Sequence, residues 1–226
     1  MKLRVGTSHS SWSGVGTINS NLDPMPELRY RLPLFPLPVV LLPGAVMPLH
    51  IFEQRYRDMV ADALQHDRRF GLIYHDWDDH GPFLAEYGQV GCVAEIREYE
   101  ALEDGRYLLI VQGVDRFVID DGLEHQALYF EAIVSPYADE TAMAGEEIQF
   151  RRRESIRLFE ELVGLLPESP EGLPKLDSAA ETSFVLAQAI HVDRPWHQRL
   201  LEIRDEGSRL ERIDQVLRAV IRRGGN

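Results

Sequence analysis

One short run contains the highest density of potential metal ligands in the sequence, His75-Asp76-Trp77-Asp78-Asp79-His80. Imidazoles and carboxylates bind zinc and other divalent cations, so the run raises the hypothesis of a metal-dependent hydrolase. Ligand type alone does not determine geometry, and an acidic loop between two strands has the same composition. The sequence contains no pair of the His-x-x-x-His type. We therefore predict no metal site. If one exists, His75 and His80 are the candidate ligands.

Aromatic side chains surround the same run and suggest a different chemistry. Aromatic rings on a loop beside a sheet can anchor a peptide through apolar contact. The alternative is that the rings close one end of a β-barrel, a setting in which aromatic residues are also common. The sequence favours barrel closure, and a peptide-binding surface is the functional hypothesis kept beside it. The four residues of this surface are Tyr74, Trp77, Phe83 and Tyr87.

Two acid–base neighbours and one thiol are the remaining candidates for catalysis. Glu53 with Arg55, and Asp115 with Arg116, have the residue types of proton-transfer pairs, but structural ion pairs have the same types. Cys92 is the single cysteine and alternates into an apolar strand face. This position predicts a buried, inert thiol. We therefore predict no catalytic residue.

Composition places the chain among ordinary globular proteins, since 44% of its 226 residues are hydrophobic and 27% are charged. No apolar run approaches the ~18 residues that a membrane-spanning helix needs. The N-terminal segment lacks the apolar core of a signal peptide. A single cysteine excludes an internal disulfide and fits a reducing compartment. These features predict a cytoplasmic protein with no membrane partner.

The charge is negative and unevenly distributed. The net charge is −13, and residues 1–140 hold 11 Lys and Arg against 22 Asp and Glu. An acidic front half repels the phosphate backbone of nucleic acids. The charge distribution therefore disfavours RNA and DNA as partners.

A proline-rich apolar stretch, residues 31–56, organises the rest of the chain. It contains five prolines, and no helix runs through it because each proline lacks an N–H and clashes with the preceding turn. Proline also removes a donor from a β-ladder, which places such segments at sheet edges or strand starts. We predict short extended pieces, a turn at Pro43-Gly44 and a helix from Glu53 to Gln65.

The residues after this helix predict a small antiparallel barrel followed by helices. Alternating apolar residues indicate strands over 69–75, 89–99, 106–111, 113–119 and 129–136. Gly113 is interpreted as a bulge or corner. Turns are predicted at Glu103-Asp104-Gly105 and Asp120-Asp121-Gly122.

Beyond residue 145 the apolar period changes from two to about 3.6, which indicates helices. We interpret Ser178-x-x-Glu181 and Ser208-x-x-Glu211 as capping boxes at helix starts. Arg194-Pro195 indicates another helix start, because proline suits the first helical position.

The proline-rich stretch resembles the start of the LON domain, the N-terminal substrate-recognition domain of ATP-dependent Lon proteases, which also occurs in cereblon. The resemblance continues through the later strands and covers residues 29–223. It implies an α+β fold, a PUA-like β pseudo-barrel with one early helix followed by a C-terminal α-helical bundle. The residues that carry the resemblance are Pro36, Pro43, Gly44, Pro48, Phe52, Glu53, Tyr56, Gly91, Gly113, Arg116 and Phe117.

This fold divides the chain into four parts. Residues 1–28 are predicted to be a disordered tail, which is untranslated in part if Met25 is the true start. Residues 29–137 form the barrel half, 138–145 a linker, and 146–226 the helical half.

Lon proteases cleave peptides with a Ser–Lys dyad and use ATP, and neither feature is recognisable here. The chain has two lysines, Lys2 and Lys175, and no Gly-Lys pair of a phosphate loop. A dyad lysine must be desolvated to lower its pKa, whereas Lys175 lies in a proline-rich loop. The resemblance therefore implies non-catalytic recognition of unfolded or degron-bearing protein segments, or of a partner protein, without a cofactor. The alternatives are a PUA-like small-molecule or RNA binder and the metal-dependent hydrolase.

Overall fold

The structure is a computed structural model that describes residues 28–123, 128–140, 145–166 and 172–224. The predicted tail up to residue 27, the true start at Met25 and the centre of the predicted linker lie outside these residues. In the described residues, six strands and two helices come first and four helices follow. The elements are β1 (Tyr30–Leu37), β2 (Val46–Ile51), α1 (Gln54–Gln65), β3 (Arg69–Tyr74), α2 (Trp77–His80), β4 (Val90–Ala101), β5 (Tyr107–Gly122), β6 (Phe130–Pro136), α3 (Glu146–Gly164), α4 (Ser183–Ala189), α5 (Arg194–Glu202) and α6 (Glu206–Gly224).

Five of the strands close into a barrel. Strand β1 pairs in parallel with β3 and antiparallel with β6, while β4 lies between β3 and β5, and β5 pairs with β6. Strand β2 pairs with β5 alone and ends the sheet. The predicted fold class, a β pseudo-barrel followed by helices, is confirmed.

Three of the five prolines of the organising stretch lie in strands, each at a residue with one neighbouring strand. Pro48 is in β2, the edge strand. Strand β1 changes neighbour at Leu34, so Pro33 pairs with β6 only and Pro36 with β3 only. A missing N–H costs nothing on an unpaired side. The prediction that these prolines mark strand edges is confirmed.

Gly113 lets the proline-rich stretch approach the barrel. A Cβ atom at this position would lie 2.3 Å from the carbonyl oxygen of Leu42. Gly44, in the predicted turn, has a φ of +80° and donates its N–H to Gly113 O at 2.8 Å. Strand β5 carries a bulge here, opposite Cys92 and Ala94. The bulge is confirmed, but β5 runs through it without a break.

The barrel has its own core, and a larger core joins it to the helices. The barrel interior is built around Phe117, whose ring leaves no room for a Cβ atom at Gly91. The larger core contains Cys92 and Val111 of the barrel together with Leu200 and Leu210 of the helices. The barrel and the helical bundle therefore bury apolar surface against each other.

A cluster of two buried arginines and the more exposed Asp139, which we call the clasp, ties the two halves together. Arg116 on β5 donates to the carbonyl oxygens of Leu201 and Ile203 at 2.7 and 2.8 Å, which satisfies the free end of α5. Its guanidinium also pairs with Asp139. Asp139 in turn accepts from Arg209 on α6 at 2.7 Å. Burial lowers the pKa of Arg116, and Asp139 opposes that shift.

Three local predictions are wrong. The segment Asp120-Asp121-Gly122 is the end of β5 and not a turn. Helix α4 begins after Thr182, which is its N-cap residue. The side chain of Glu181 accepts a hydrogen bond from the N–H of Phe184 at 3.2 Å. Ser178 is therefore not the cap of this helix.

The start of α6 also differs from the prediction. Asp205 accepts from the N–H of Ser208 at 2.7 Å, and the helix begins at Glu206. Asp is as good a cap as Ser, and it precedes the Ser-x-x-Glu pattern by three residues. The predicted start at Arg194-Pro195 is confirmed, with Asp193 as the cap.

None of the helices in the described part of the chain is both long enough and apolar enough to span a membrane.

Candidate functional site: a groove at the free edge of the sheet

The free edge of β2 carries main-chain groups without a partner in the sheet. Gly113 donates to Ala45 O at 2.9 Å. Hydrogen-bonded pairs alternate in an antiparallel ladder, so Met47, Leu49 and Ile51 bond to β5. The main-chain groups of Val46, Pro48 and His50 therefore point to the open edge. Pro48 contributes only a carbonyl group there.

The first of two hollows lies along this edge, and we call it the edge hollow. Its volume is about 250 Å³, and it is lined by the end of β1, the end of β2, the start of α1 and Trp77 of α2. Phe52 is 62% exposed and Trp77 is 40% exposed, although both side chains are apolar. Aromatic side chains left accessible around a cavity are typical of a binding surface.

Tyr56 is one of the residues that line the edge hollow, and its hydroxyl is unusual. Its ring is 3% exposed and packs on Phe35 with the centroids 4.3 Å apart. Its hydroxyl is buried and has no hydrogen-bond partner among the described residues. Burial raises the pKa of Tyr56 to about 12, so the hydroxyl remains a donor at neutral pH.

The second hollow lies over the outer face of β2, β5 and β4, and we call it the face trough. Its volume is about 580 Å³. Its apolar residues are Pro48, Leu49, Tyr99, Leu108, Leu109 and Ile110. Tyr99 and Leu108 are 48% and 42% exposed. Leu49 and His50 line both hollows, which are therefore neighbours, and we call the two together the edge groove.

Two carboxylates stand at the β4 side of the face trough. Glu98 pairs in register with Ile110, and Glu100 with Leu108. Both glutamates are exposed, and neither has an ion pair with a described residue. His50 is the only residue of the trough lining that can carry a positive charge. The trough is therefore an apolar surface with a negative border.

The four aromatic residues predicted to form a peptide-binding surface do not lie together. Trp77 lines the edge hollow. Phe83 is buried in the barrel core, where it packs on Phe130, which is the alternative considered above. Tyr74 is half-buried and lines a different hollow, beside α5. Tyr87 is 83% exposed and lines neither part of the edge groove.

The two histidines proposed as metal ligands take part in local hydrogen bonds. His75 is buried, with its Nε2 2.7 Å from the carbonyl oxygen of Gly81. His80 Nδ1 accepts from the N–H of Asp76 at 3.2 Å. Across the ranges that the structure describes, no three His, Cys, Asp or Glu residues are arranged to hold a metal ion. The run folds as the short helix α2 and its cap.

The remaining candidates have structural surroundings. Cys92 is fully buried, and burial raises the pKa of its thiol to about 12, as its position in an apolar strand predicts. Glu53 and Arg55 form an ion pair at 2.9 Å. Arg116 pairs with Asp139 in the clasp, and not with its neighbour Asp115.

Sequence reasoning missed most of the edge groove. Strand β4 has twelve residues whereas β3 has six, so the β4–β5 hairpin extends beyond the barrel. A length mismatch of this kind was a usable signal, because the overhanging part keeps apolar residues such as Tyr99 and Leu108 exposed. The sequence did not indicate that β1, β2 and α2 meet at the edge hollow, because their meeting depends on how the strands close the barrel.

Comparison with known proteins agrees with this architecture. Residues 31–219 match the family model of the ATP-dependent protease La (LON) substrate-binding domain. A crystal structure of a Lon N-terminal domain protein from Xanthomonas campestris superposes with a TM-score of 0.59 at 26% identity, covering 81% of this chain and 96% of that one. The N-terminal domain of the Mycobacterium avium complex Lon protease, at 18% identity and a TM-score of 0.61, shares the fold and covers 84% and 98%.

The sequence relatives are much longer proteins. Lon protease 2 of Myxococcus xanthus is 28% identical over 203 residues, which are 87% of this chain and 24% of that protein. Lon protease of Escherichia coli K12 is 26% identical over 209 residues, which are 88% and 26% of the two chains. The chain thus spans about a quarter of the length of these relatives. With its barrel, its helical bundle and a family match over most of its length, the chain belongs to the family of LON substrate-binding domains.

Proposed function

We propose that this protein is a non-catalytic recognition module that binds extended, exposed protein segments along the edge groove. One observation carries the proposal: a strand edge with no partner among the described strands lies beside two hollows whose linings are mostly apolar. An extended peptide that adds a strand to a sheet edge gains main-chain hydrogen bonds, and hollows on either side accept its alternate side chains. Unfolded or degron-bearing segments are the occupants that offer such a strand.

The edge favours a short, specific pairing. Val46 and His50 each present an N–H and a C=O, while Pro48 between them presents a C=O only. A bound segment would therefore form hydrogen bonds mainly at the two ends of β2. A proline in an edge strand also limits uncontrolled pairing between sheets. The groove is thus suited to reversible binding.

The surroundings of the candidate dyad residues favour binding over peptide cleavage. Lys175 is exposed, whereas a lysine that serves as the base of a dyad must be desolvated. Ser178 lies in a turn beside it and is only half-buried. ATP hydrolysis and proteolysis are properties of the longer Lon proteases, and the proposal for this chain includes neither.

The proposal is tested by peptide binding to groove variants. A labelled extended peptide with an apolar core should bind the wild-type protein, and Leu108→Ser or Phe52→Ser should weaken binding by about tenfold because each removes apolar contact area. Fluorescence anisotropy gives the dissociation constants. Phe150→Ser is the matched control, since Phe150 is 56% exposed on α3, outside the groove.

Two results would contradict the proposal. Binding that is unchanged in both groove variants would place the site elsewhere, and equal loss in the Phe150→Ser control would indicate nonspecific apolar adsorption. Retention of RNA by the wild-type protein, without peptide binding, would favour the PUA-like RNA binder instead.

A further inference from the structure

We infer that the edge groove selects segments in which a Lys or Arg flanks the apolar residues, with Glu98 and Glu100 as the residues that read the positive charge. The inference rests on the proposed function, because it names the class of segment that the same groove takes. It concerns a preference among peptides, and it can fail while peptide binding itself stands.

The register of the sheet places the carboxylates of Glu98 and Glu100 in line with apolar residues of the face trough. One row across the outer face is Pro48, Ile110 and Glu98, and the next is His50, Leu108 and Glu100. Each row therefore begins at the edge strand and ends in a carboxylate. Two such rows on alternate residues match the spacing of alternate side chains in an extended segment.

The distance across these rows favours long cationic side chains. A segment paired with β2 would lie three inter-strand spacings from β4, which is about 14 Å. Lys and Arg side chains can lay their apolar stems on Leu108 or Ile110 and keep the charged group in water. Shorter polar side chains would not reach the glutamates. The apolar face trough and the two glutamates beside it thus favour a segment that contains both an apolar residue and a long cationic residue.

Cations from the protein itself do not neutralise this border. Among the described residues near the hairpin, Arg97 donates to Gln112 at 2.9 Å and pairs with Glu95. Arg106 pairs with Asp104 at 2.7 Å in the hairpin turn. Glu98 and Glu100 therefore have no cationic partner among the described residues and are open to an incoming one. Close like charges on one face add to the local field and attract cations.

The same border argues against the other possible occupants. Nucleic acids and anionic membrane surfaces are repelled by it. Strand β2 itself contains no Lys or Arg, so a second copy of the chain that paired edge to edge through β2 would not supply the long cationic side chain. A cationic, apolar protein segment is the occupant with complementary charge.

The experiment compares three labelled peptides that share one apolar core and are flanked by Lys, by Gln or by Glu. We expect the wild-type protein to bind the Lys peptide most tightly and the Glu peptide most weakly, as measured by anisotropy.

The double variant Glu98→Gln/Glu100→Gln should weaken binding of the Lys peptide by about threefold to tenfold, as expected for two exposed ion pairs. Binding of the Gln peptide should not change, and the wild-type preference should fall as salt rises.

A matched control separates local recognition from net charge. Glu103→Gln/Glu147→Gln makes the same change in charge at exposed positions outside the trough lining. An equal loss of the Lys preference in this control would overturn the inference. Equal binding of all three peptides would overturn it while the proposed function stands, and absence of binding by all three would overturn both. A dimer in sedimentation equilibrium that Leu108→Ser dissolves would also overturn it, because the groove would then bind a second copy.

Discussion

At the scale of single residues, the burial of ionisable groups separates structural roles from binding roles. Cys92 is enclosed by the core, so its thiolate is strongly disfavoured. Tyr56 is equally buried, but it lines the edge hollow and its hydroxyl has no partner among the described residues. The thiol of Cys92 is therefore assigned a structural role, whereas the Tyr56 hydroxyl is a candidate donor to a bound segment.

Tyr56→Phe tests this difference. Removing a buried donor that lacks a partner should leave the free energy of unfolding within about 0.5 kcal/mol of wild type, or increase it. If the hydroxyl donates to a bound segment, the same change should weaken peptide binding by about fivefold, as loss of one hydrogen bond predicts. Urea unfolding and anisotropy measure the two effects. A loss of stability above about 1 kcal/mol would indicate that the hydroxyl has a structural partner.

Cys92 predicts a dependence of stability on alkaline pH. Its pKa is raised from 9.0 to about 12, so the unfolded state loses the proton first as pH rises. The stability from this group is complete below pH 9.0 and is lost as the pH rises toward about 12.

The stability difference between wild type and Cys92→Ala should therefore shrink over this range. Urea unfolding of both proteins at a series of pH values measures it. Buried tyrosines titrate in the same range, but they are common to both proteins and cancel in the difference. A difference that is constant with pH would contradict the assignment.

At the scale of elements, the clasp holds β5 against α5 and α6. Asp139 pairs with two arginines whose side chains are 4% and 0% exposed. Removing this carboxylate leaves Arg116 without an anionic partner among the described residues and leaves Arg209 with Glu181 alone, 3.5 Å away; breaking such a pair costs more than the ion pair contributes. The clasp is therefore the point at which a single change should loosen the helical half from the barrel.

Asp139→Asn should lower the free energy of unfolding by about 3 kcal/mol. The control is Asp104→Asn, which removes an exposed ion pair with Arg106 and should have a much smaller effect on stability. Urea denaturation at neutral pH measures both values. Similar effects of the two variants would show that solvent screens the clasp as well as it screens the surface pair.

At the scale of the whole molecule, the two halves share one core. Cys92 and Val111 on the barrel pack in the same cluster as Leu200, Leu210 and Leu217. A division at the predicted linker, residues 138–145, would therefore expose apolar surface on both sides. The linker separates two patterns of sequence, but it does not separate two cores.

A fragment of residues 28–137 tests this dependence. We expect the full chain to unfold in one cooperative thermal transition, and the fragment to show a broad transition and to bind a hydrophobic dye. Circular dichroism and dye fluorescence measure these properties. A fragment with a sharp transition close to that of the full chain would show that the barrel folds independently.

The amino-acid sequence determined the order and type of the elements, because those depend on local chemistry. Prolines at 33, 36 and 48 exclude helix and require a strand side without a partner, and the change of apolar period near residue 145 predicts the helical half. The buried state of Cys92 follows from strand alternation in the same way. The capping predictions failed where Asp205 competed with a nearby Ser, since several residues near a helix start can accept the same hydrogen bonds.

Only the tertiary structure decided where a partner could bind. Trp77 meets the end of β2 at the edge hollow, and Phe83, six residues later, turns into the barrel core. Exposure of this kind depends on which strands close the barrel and which strand is left at its edge, and both result from contacts between distant residues. The sequence shows that the chain carries aromatic residues suited to binding, and the closure of the barrel determines which of them remain accessible.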